Sequence, residues 1–107
     1  MTLAEFLLAR IAEDEGEPYH RWDCDKFNVY DYGLRQGDCD CGGPARVLAE
    51  CEAKRRIVAK AQRADKAFER HIQPATSAAS FALTEVLGYL AAPFRDHPDY
   101  DPAWEVS

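Results

Sequence analysis

A chain of 107 residues with a formal net charge of −6 has the size of one domain and buries only a modest core, so any local cross-link would matter to it. That acidity excludes a protein that coats nucleic acid or anionic membrane with its whole surface, and leaves such contacts to localised basic patches. No window approaches the roughly 18 to 20 unbroken apolar residues of a membrane span, and the stretch from Met1 to Arg10 lacks the basic start and continuous apolar run of an export signal. The expectation is a single cytoplasmic domain, residues 1–107, with no membrane association. Its four cysteines, Cys24, Cys39, Cys41 and Cys51, then read as thiols or metal ligands rather than disulfides.

Thr2 and Glu5 form a capping box, and Leu3, Leu7 and Ile11 follow at four-residue spacing, which predicts a first helix over 3–15. The acidic run Glu13-Asp14-Glu15, followed by Gly16 and Pro18, stops it.

Residues 19–43 change to aromatic and acidic side chains with turn formers, among them Asn28, Gly33, Gly37, Gly42 and Gly43. They read as a loop. Weak alternation over Phe27-Asn28-Val29-Tyr30-Asp31-Tyr32 leaves room for one short strand or half of a hairpin. About 25 residues without strong structure is long for a compact domain, so something other than a core should hold them.

Pro44 suits the first position of a second helix, expected over 44–72. Val47, Cys51, Ile57, Val58, Ala61, Phe68 and Ile72 fall in one arc and predict its buried face. Arg56, Lys60, Arg63, Lys66 and Arg70 collect on the other side as a basic stripe. Residues 44–70 carry eight Lys/Arg against four Asp/Glu, so this helix is near +4 while the rest of the chain is near −10. Pro74 is read as its stop and residues 75–80 as a small-residue connection. A third helix over 77–92 buries Leu83, Val86, Leu87 and Leu90, with Phe81 and Tyr89 flanking. Residues 93–107 form an acidic, aromatic tail that Tyr100 and Trp104 anchor on the helices. Asp96-His97-Pro98-Asp99-Tyr100, with its flanking prolines, reads as a turn with a capping or docking role.

The sharpest chemical signal is His20-x3-Cys24 followed by Cys39-Asp40-Cys41-Gly42-Gly43-Pro44. Zinc takes four nitrogen or sulfur ligands in a tetrahedron, and two short ligand pairs separated by a loop are a usual way to supply them. His20, Cys24, Cys39 and Cys41 would saturate Zn2+ and leave no position for substrate, which makes a structural site. Gly42 and Gly43 let the backbone wrap the thiolates, and the following helix start favours their negative charge. The competing reading is reduced thiols in an exposed acidic loop. Cys51 differs: it lies in the apolar arc, and core packing suits it better than ligation.

Three segments carry a resemblance: residues 6–15, residues 39–58 from Cys39-Asp40-Cys41-Gly42-Gly43-Pro44-Ala45-Arg46-Val47-Leu48 through Glu52-Ala53-Lys54-Arg55, and residues 90–100 ending Asp96-His97-Pro98-Asp99-Tyr100. Together they resemble a domain of unknown function found in actinobacteria and their phages. The resemblance implies the cytoplasm of a bacterium or phage-infected host. It transfers no activity and no catalytic residue. Members similar to this chain carry a His and a Cys ahead of the Cys-x-Cys-Gly-x-Pro turn, whereas others reach the helix without them, which suits a replaceable stabilising clip. The commoner Gly-Pro-Trp motif is here His20-Arg21-Trp22.

The expected fold is mainly α, a three-helix domain with a long central helix and a metal-pinned loop, monomeric or homodimeric. No Gly-rich phosphate loop, nucleophile elbow or paired helical carboxylates are present. The leading function is a non-catalytic, zinc-stabilised binding or regulatory module acting on a protein partner through the basic stripe or the acidic tail. The alternatives are a nucleic-acid-binding regulator using the same stripe and, third, a metal-dependent enzyme, which would need an open coordination position.

Overall fold

Three α-helices, α1 (Leu3–Gly16), α2 (Gly43–Arg70) and α3 (Pro74–Ala91), form the scaffold in the computed structural model, which describes residues 1–17 and 43–106. The fold is mainly α. No strand occurs among the described residues. The strand or hairpin expected near residues 27–32 lies outside them, as does the expected loop apart from Gly43, which opens α2.

The capping box at α1 is formed as expected: Thr2 Oγ1 accepts from the Glu5 N–H at 3.1 Å, and the Thr2 N–H donates to Glu5 Oε1 at 2.9 Å. The latter bond holds the Glu5 carboxyl below its ordinary range. Phe6, Leu7, Arg10 and Ile11 are the buried residues of α1, a stripe at one-turn spacing.

Two contacts fix how α1 lies on α2. The Cys51 thiol donates weakly to the Ile11 carbonyl oxygen at 3.9 Å, and the Arg55 guanidinium clasps both oxygens of the Glu15 carboxylate at 2.9 and 2.5 Å. Each contact joins residues forty apart, and moving one turn along α1 moves one turn along α2, so these helices run parallel. α3 runs antiparallel to α2. Ser80 Oγ donates to Asp65 Oδ1 at 2.6 Å across the hairpin, with the turn at residues 71–73 midway between them.

Here the structure corrects the sequence reading at three points. α2 ends at Arg70 rather than residue 72, and Ile72, expected in the buried arc, lies past the helix and is 79% exposed. Pro74 is not the stop of α2 but the first residue of α3, which spans 74–91 instead of 77–92; a proline at the first helical position loses nothing, since that N–H has no partner within the helix. Thr76 completes the cap, accepting from the Gln73 N–H at 3.1 Å. Val86, expected inside, is exposed with Phe81 and Tyr89, whereas Leu87 and Ala91 carry the buried face.

After α3 a 3-10 turn, Ala92–Phe94, bends the chain back, and a second one, Pro102–Trp104, opens on Asp101, whose side chain accepts from the Ala103 N–H. The C-terminal segment closes over Phe6, which is fully buried. Around its ring stand Trp104 at 5.1 Å, His97 at 5.5 Å, Tyr100 at 6.0 Å and Phe94 at 6.2 Å between ring centres. The three latter rings meet it edge to face, the geometry that aromatic quadrupoles favour. His97 Nδ1 also accepts from the Asp99 N–H at 3.0 Å, so this motif folds its turn and docks. Gly88 makes the docking fit. A Cβ there would collide with Val106 Cγ2 and come within 3.0 Å of the Trp104 carbonyl oxygen.

Candidate interaction surface

The proposed ligands His20, Cys24, Cys39 and Cys41 all lie outside the described residues, so the structure does not bring them together or separate them. Among the described residues no cluster of three or more His, Cys, Asp or Glu side chains is placed to hold a metal ion. Cys51 is 1% exposed, and burial pushes its thiol pKa up. A neutral thiol against a backbone carbonyl is a core residue and neither a ligand nor a nucleophile.

The basic stripe lies on described residues. A 28-residue helix about 42 Å long displays Arg56, Lys60, Arg63, Lys66 and Arg70, all exposed, within an arc of about 120° at 100° per residue. Good helix formers surround them: residues 59–67 read Ala-Lys-Ala-Gln-Arg-Ala-Asp-Lys-Ala, whose alanines and straight-chain side chains favour the helix without needing a core beneath.

The stripe divides into two parts by what neutralises it. Arg56 donates to Glu52 at 2.8 Å, and nearer the start of α2 Arg46 pairs with Glu50 at 3.2 Å; such exposed pairs one turn apart contribute about 0.3 to 0.5 kcal/mol each. Lys60, Arg63, Lys66 and Arg70 make no hydrogen bond or ion pair to any described residue. Lys66 and Glu69, three residues apart on the helix, form no ion pair. Four exposed cations over three turns therefore stand without an ionic partner among the described residues. Beside Arg56 the stripe borders a shallow open trough lined by Ala49, Glu52, Ala53 and Ile57, an apolar floor with a charged rim.

Two further arginines, Arg55 and Arg10, have structural roles. Arg55 ties α2 to α1 through Glu15, whose carboxyl it holds below the ordinary carboxylate range. Arg10 is 7% exposed, rests 5.2 Å from the Phe6 ring centre and forms an ion pair with Glu13 at 3.1 Å. This buried guanidinium was not foreseen, although Phe6, Arg10 and Glu13 stand at the one-turn spacings that allow it. The narrow space beside it, between Leu7, Ile11, Asp14, Lys54, Leu90 and Phe94, has room for little more than one water, which excludes a substrate there.

The helix lengths, the Pro44 start of α2 and the docked Asp-His-Pro-Asp-Tyr turn can now be set beside known proteins. A profile of a family of unknown function, DUF6221, matches residues 1–106. The chain belongs to this family. The match runs through α1, α2, α3 and the docked C-terminal segment, so the family is defined over the whole scaffold described above. No curated protein and no solved structure matches the chain.

Proposed function

We propose that this family member is a non-catalytic binding or regulatory module, of actinobacterial or phage origin and acting in the cytoplasm, that docks an acidic surface of a larger protein with the outer face of α2. The observation that carries the reading is the row Lys60, Arg63, Lys66 and Arg70, exposed on one rigid helix and unpaired with any described residue. An uncompensated row of cations raises local potential and speeds encounter with an acidic patch. Its rigidity supports the same reading, since the backbone is already ordered before binding. In this account His20, Cys24, Cys39 and Cys41 hold a structural Zn2+ that clips the segment before α2 to the scaffold, on the strength of their ligand chemistry and spacing.

The test is charge reversal. Arg63→Glu, Lys66→Glu and Arg70→Glu together should abolish capture of the partner while leaving helicity unchanged, because all three side chains are exposed and make no hydrogen bond or ion pair to any described residue. The same protein titrated with duplex DNA separates the two binding classes. Affinity that falls steeply with salt, and loses that slope on reversal, would make the ligand a nucleic acid. The charge near −10 outside α2 opposes that outcome.

A further inference from the structure

Docking of the C-terminal segment leaves a cleft of about 140 Å³ between that segment and the end of α3. One wall is α3 with the 3-10 turn after it, which supply Tyr89, Ala92 and Arg95. The other is the C-terminal segment, which supplies Tyr100, Glu105 and Val106. Both walls are held from behind. The Arg95 N–H donates to the Ala92 carbonyl oxygen at 3.2 Å and the Glu105 N–H to that of Pro102 at 3.1 Å, so each charged side chain leaves a hydrogen-bonded turn. The Tyr100 ring meets Phe6 and Trp104 edge to face, at 6.0 and 5.5 Å between ring centres. Val106 packs onto the backbone of Gly88, which also borders the cleft.

The polar side-chain groups of this cleft are not used by the fold. The Arg95 guanidinium, the Glu105 carboxylate and the phenol hydroxyls of Tyr89 and Tyr100 make no hydrogen bond or ion pair to any described residue. Arg95 and Glu105 bring opposite charges to one cleft from its two walls and form no ion pair with each other. We propose that the cleft binds a small zwitterion, a free amino acid or an N-methylated relative of one, with its carboxylate on Arg95 and its ammonium on Glu105 beside the two phenol rings. A guanidinium takes a carboxylate through two parallel hydrogen bonds. An ammonium is drawn both to a carboxylate and to the electron-rich faces of aromatic rings.

Size and charge select the same ligand class. A cavity of about 150 Å³ accepts benzene, so this volume holds about six to eight non-hydrogen atoms, the size of alanine, γ-aminobutyrate or valine. A bare anion suits the cleft poorly. The segment after Arg95 carries Asp96, Asp99, Asp101 and Glu105, whose field repels a phosphate and favours an ammonium. A bare cation suits it no better, since it would leave Arg95 without a counterion. The cleft is half open to solvent, so a ligand of this size binds at micromolar to millimolar strength. None of the α2 cations borders it, and the inference does not depend on what the stripe binds.

The test is heteronuclear NMR of the isotope-labelled full chain, titrated with L-alanine, L-valine, γ-aminobutyrate and glycine betaine to about 20 mM each. At least one of them should give saturable amide shifts at Ala92, Arg95, Tyr100 and Glu105. For that ligand Arg95→Gln and Glu105→Gln should each raise the dissociation constant at least about tenfold. Both side chains are exposed and unpaired with any described residue, so amide shifts away from the cleft should stay as in the wild type. Propionate and n-propylamine, which keep one charge each, should bind at least about tenfold more weakly. No saturable shift with any of the four zwitterions, shifts only outside the cleft, or binding that survives either substitution or is matched by a singly charged analogue would each overturn the proposal.

Discussion

The Arg55 guanidinium forks onto the Glu15 carboxylate, joining the end of α1 to the middle of α2 across forty residues of sequence. The bond lowers the carboxyl pKa of Glu15 from its ordinary value of 4.5. A lowered folded-state pKa contributes stability that is fully present above the unfolded value and is lost as pH falls through the folded one. Glu15→Gln should therefore melt below the wild type at neutral pH, and the two curves should converge as pH drops below about 4.5. Thermal melts at a series of pH values check this; a gap that persists undiminished in acid would contradict it.

Phe6 is the pivot of the C-terminal docking, with no exposure and four rings around it. Phe6→Ala should cost about 3 to 5 kcal/mol, read by urea unfolding, and should red-shift Trp104 emission even in the fraction that stays folded.

Gly88 tests the docked segment from the other side. Gly88→Ala should displace Val106 and Trp104 and cost about 1 to 3 kcal/mol. Adding Val106→Ala removes the nearest colliding atom, so the double variant should recover part of the loss. Equal stability of the two variants would place the strain elsewhere.

The proposed zinc clip predicts one zinc per chain by elemental analysis of protein purified without added metal, absent in Cys39→Ser and weakened in His20→Ala. Chelation should lower the melting temperature of the wild type more than that of Cys39→Ser. Metal content unaffected by Cys39→Ser would remove the proposed ligand set.

How much of this was legible in the sequence depends on what each signal was about. α1 could be read because Thr2, Glu5 and the Leu3, Leu7, Ile11 spacing are local and agree with one another. Tail docking could be read from Tyr100 and Trp104, which have few places to go but the core. Pro74 misled because the same ring that ends one helix is well suited to begin another, and only the Gln73–Thr76 cap, an unusual pair, distinguishes the two cases. Val86 misled for a tertiary reason. Its spacing fits a buried face, but Val86 lies on the side of α3 turned away from α2 and is 37% exposed. Burial of Arg10 needed the Phe6 ring one turn before it and Glu13 beside it, and a charged residue on a helix is ordinarily read as exposed. The basic stripe was visible throughout, because exposed charges report helical periodicity directly, but which cations stay unpaired is set by side-chain contacts that spacing alone does not decide.

The central claim is that the outer face of α2 recognises an acidic protein surface. Its most direct test is quantitative capture from the producing cell with tagged wild type and with the variant carrying Arg63→Glu, Lys66→Glu and Arg70→Glu, each washed at rising salt. The account predicts an acidic protein retained by the wild type, released progressively as salt rises and absent from the reversed variant at every salt concentration. The same proteins retained by both, with the same salt dependence, would contradict it.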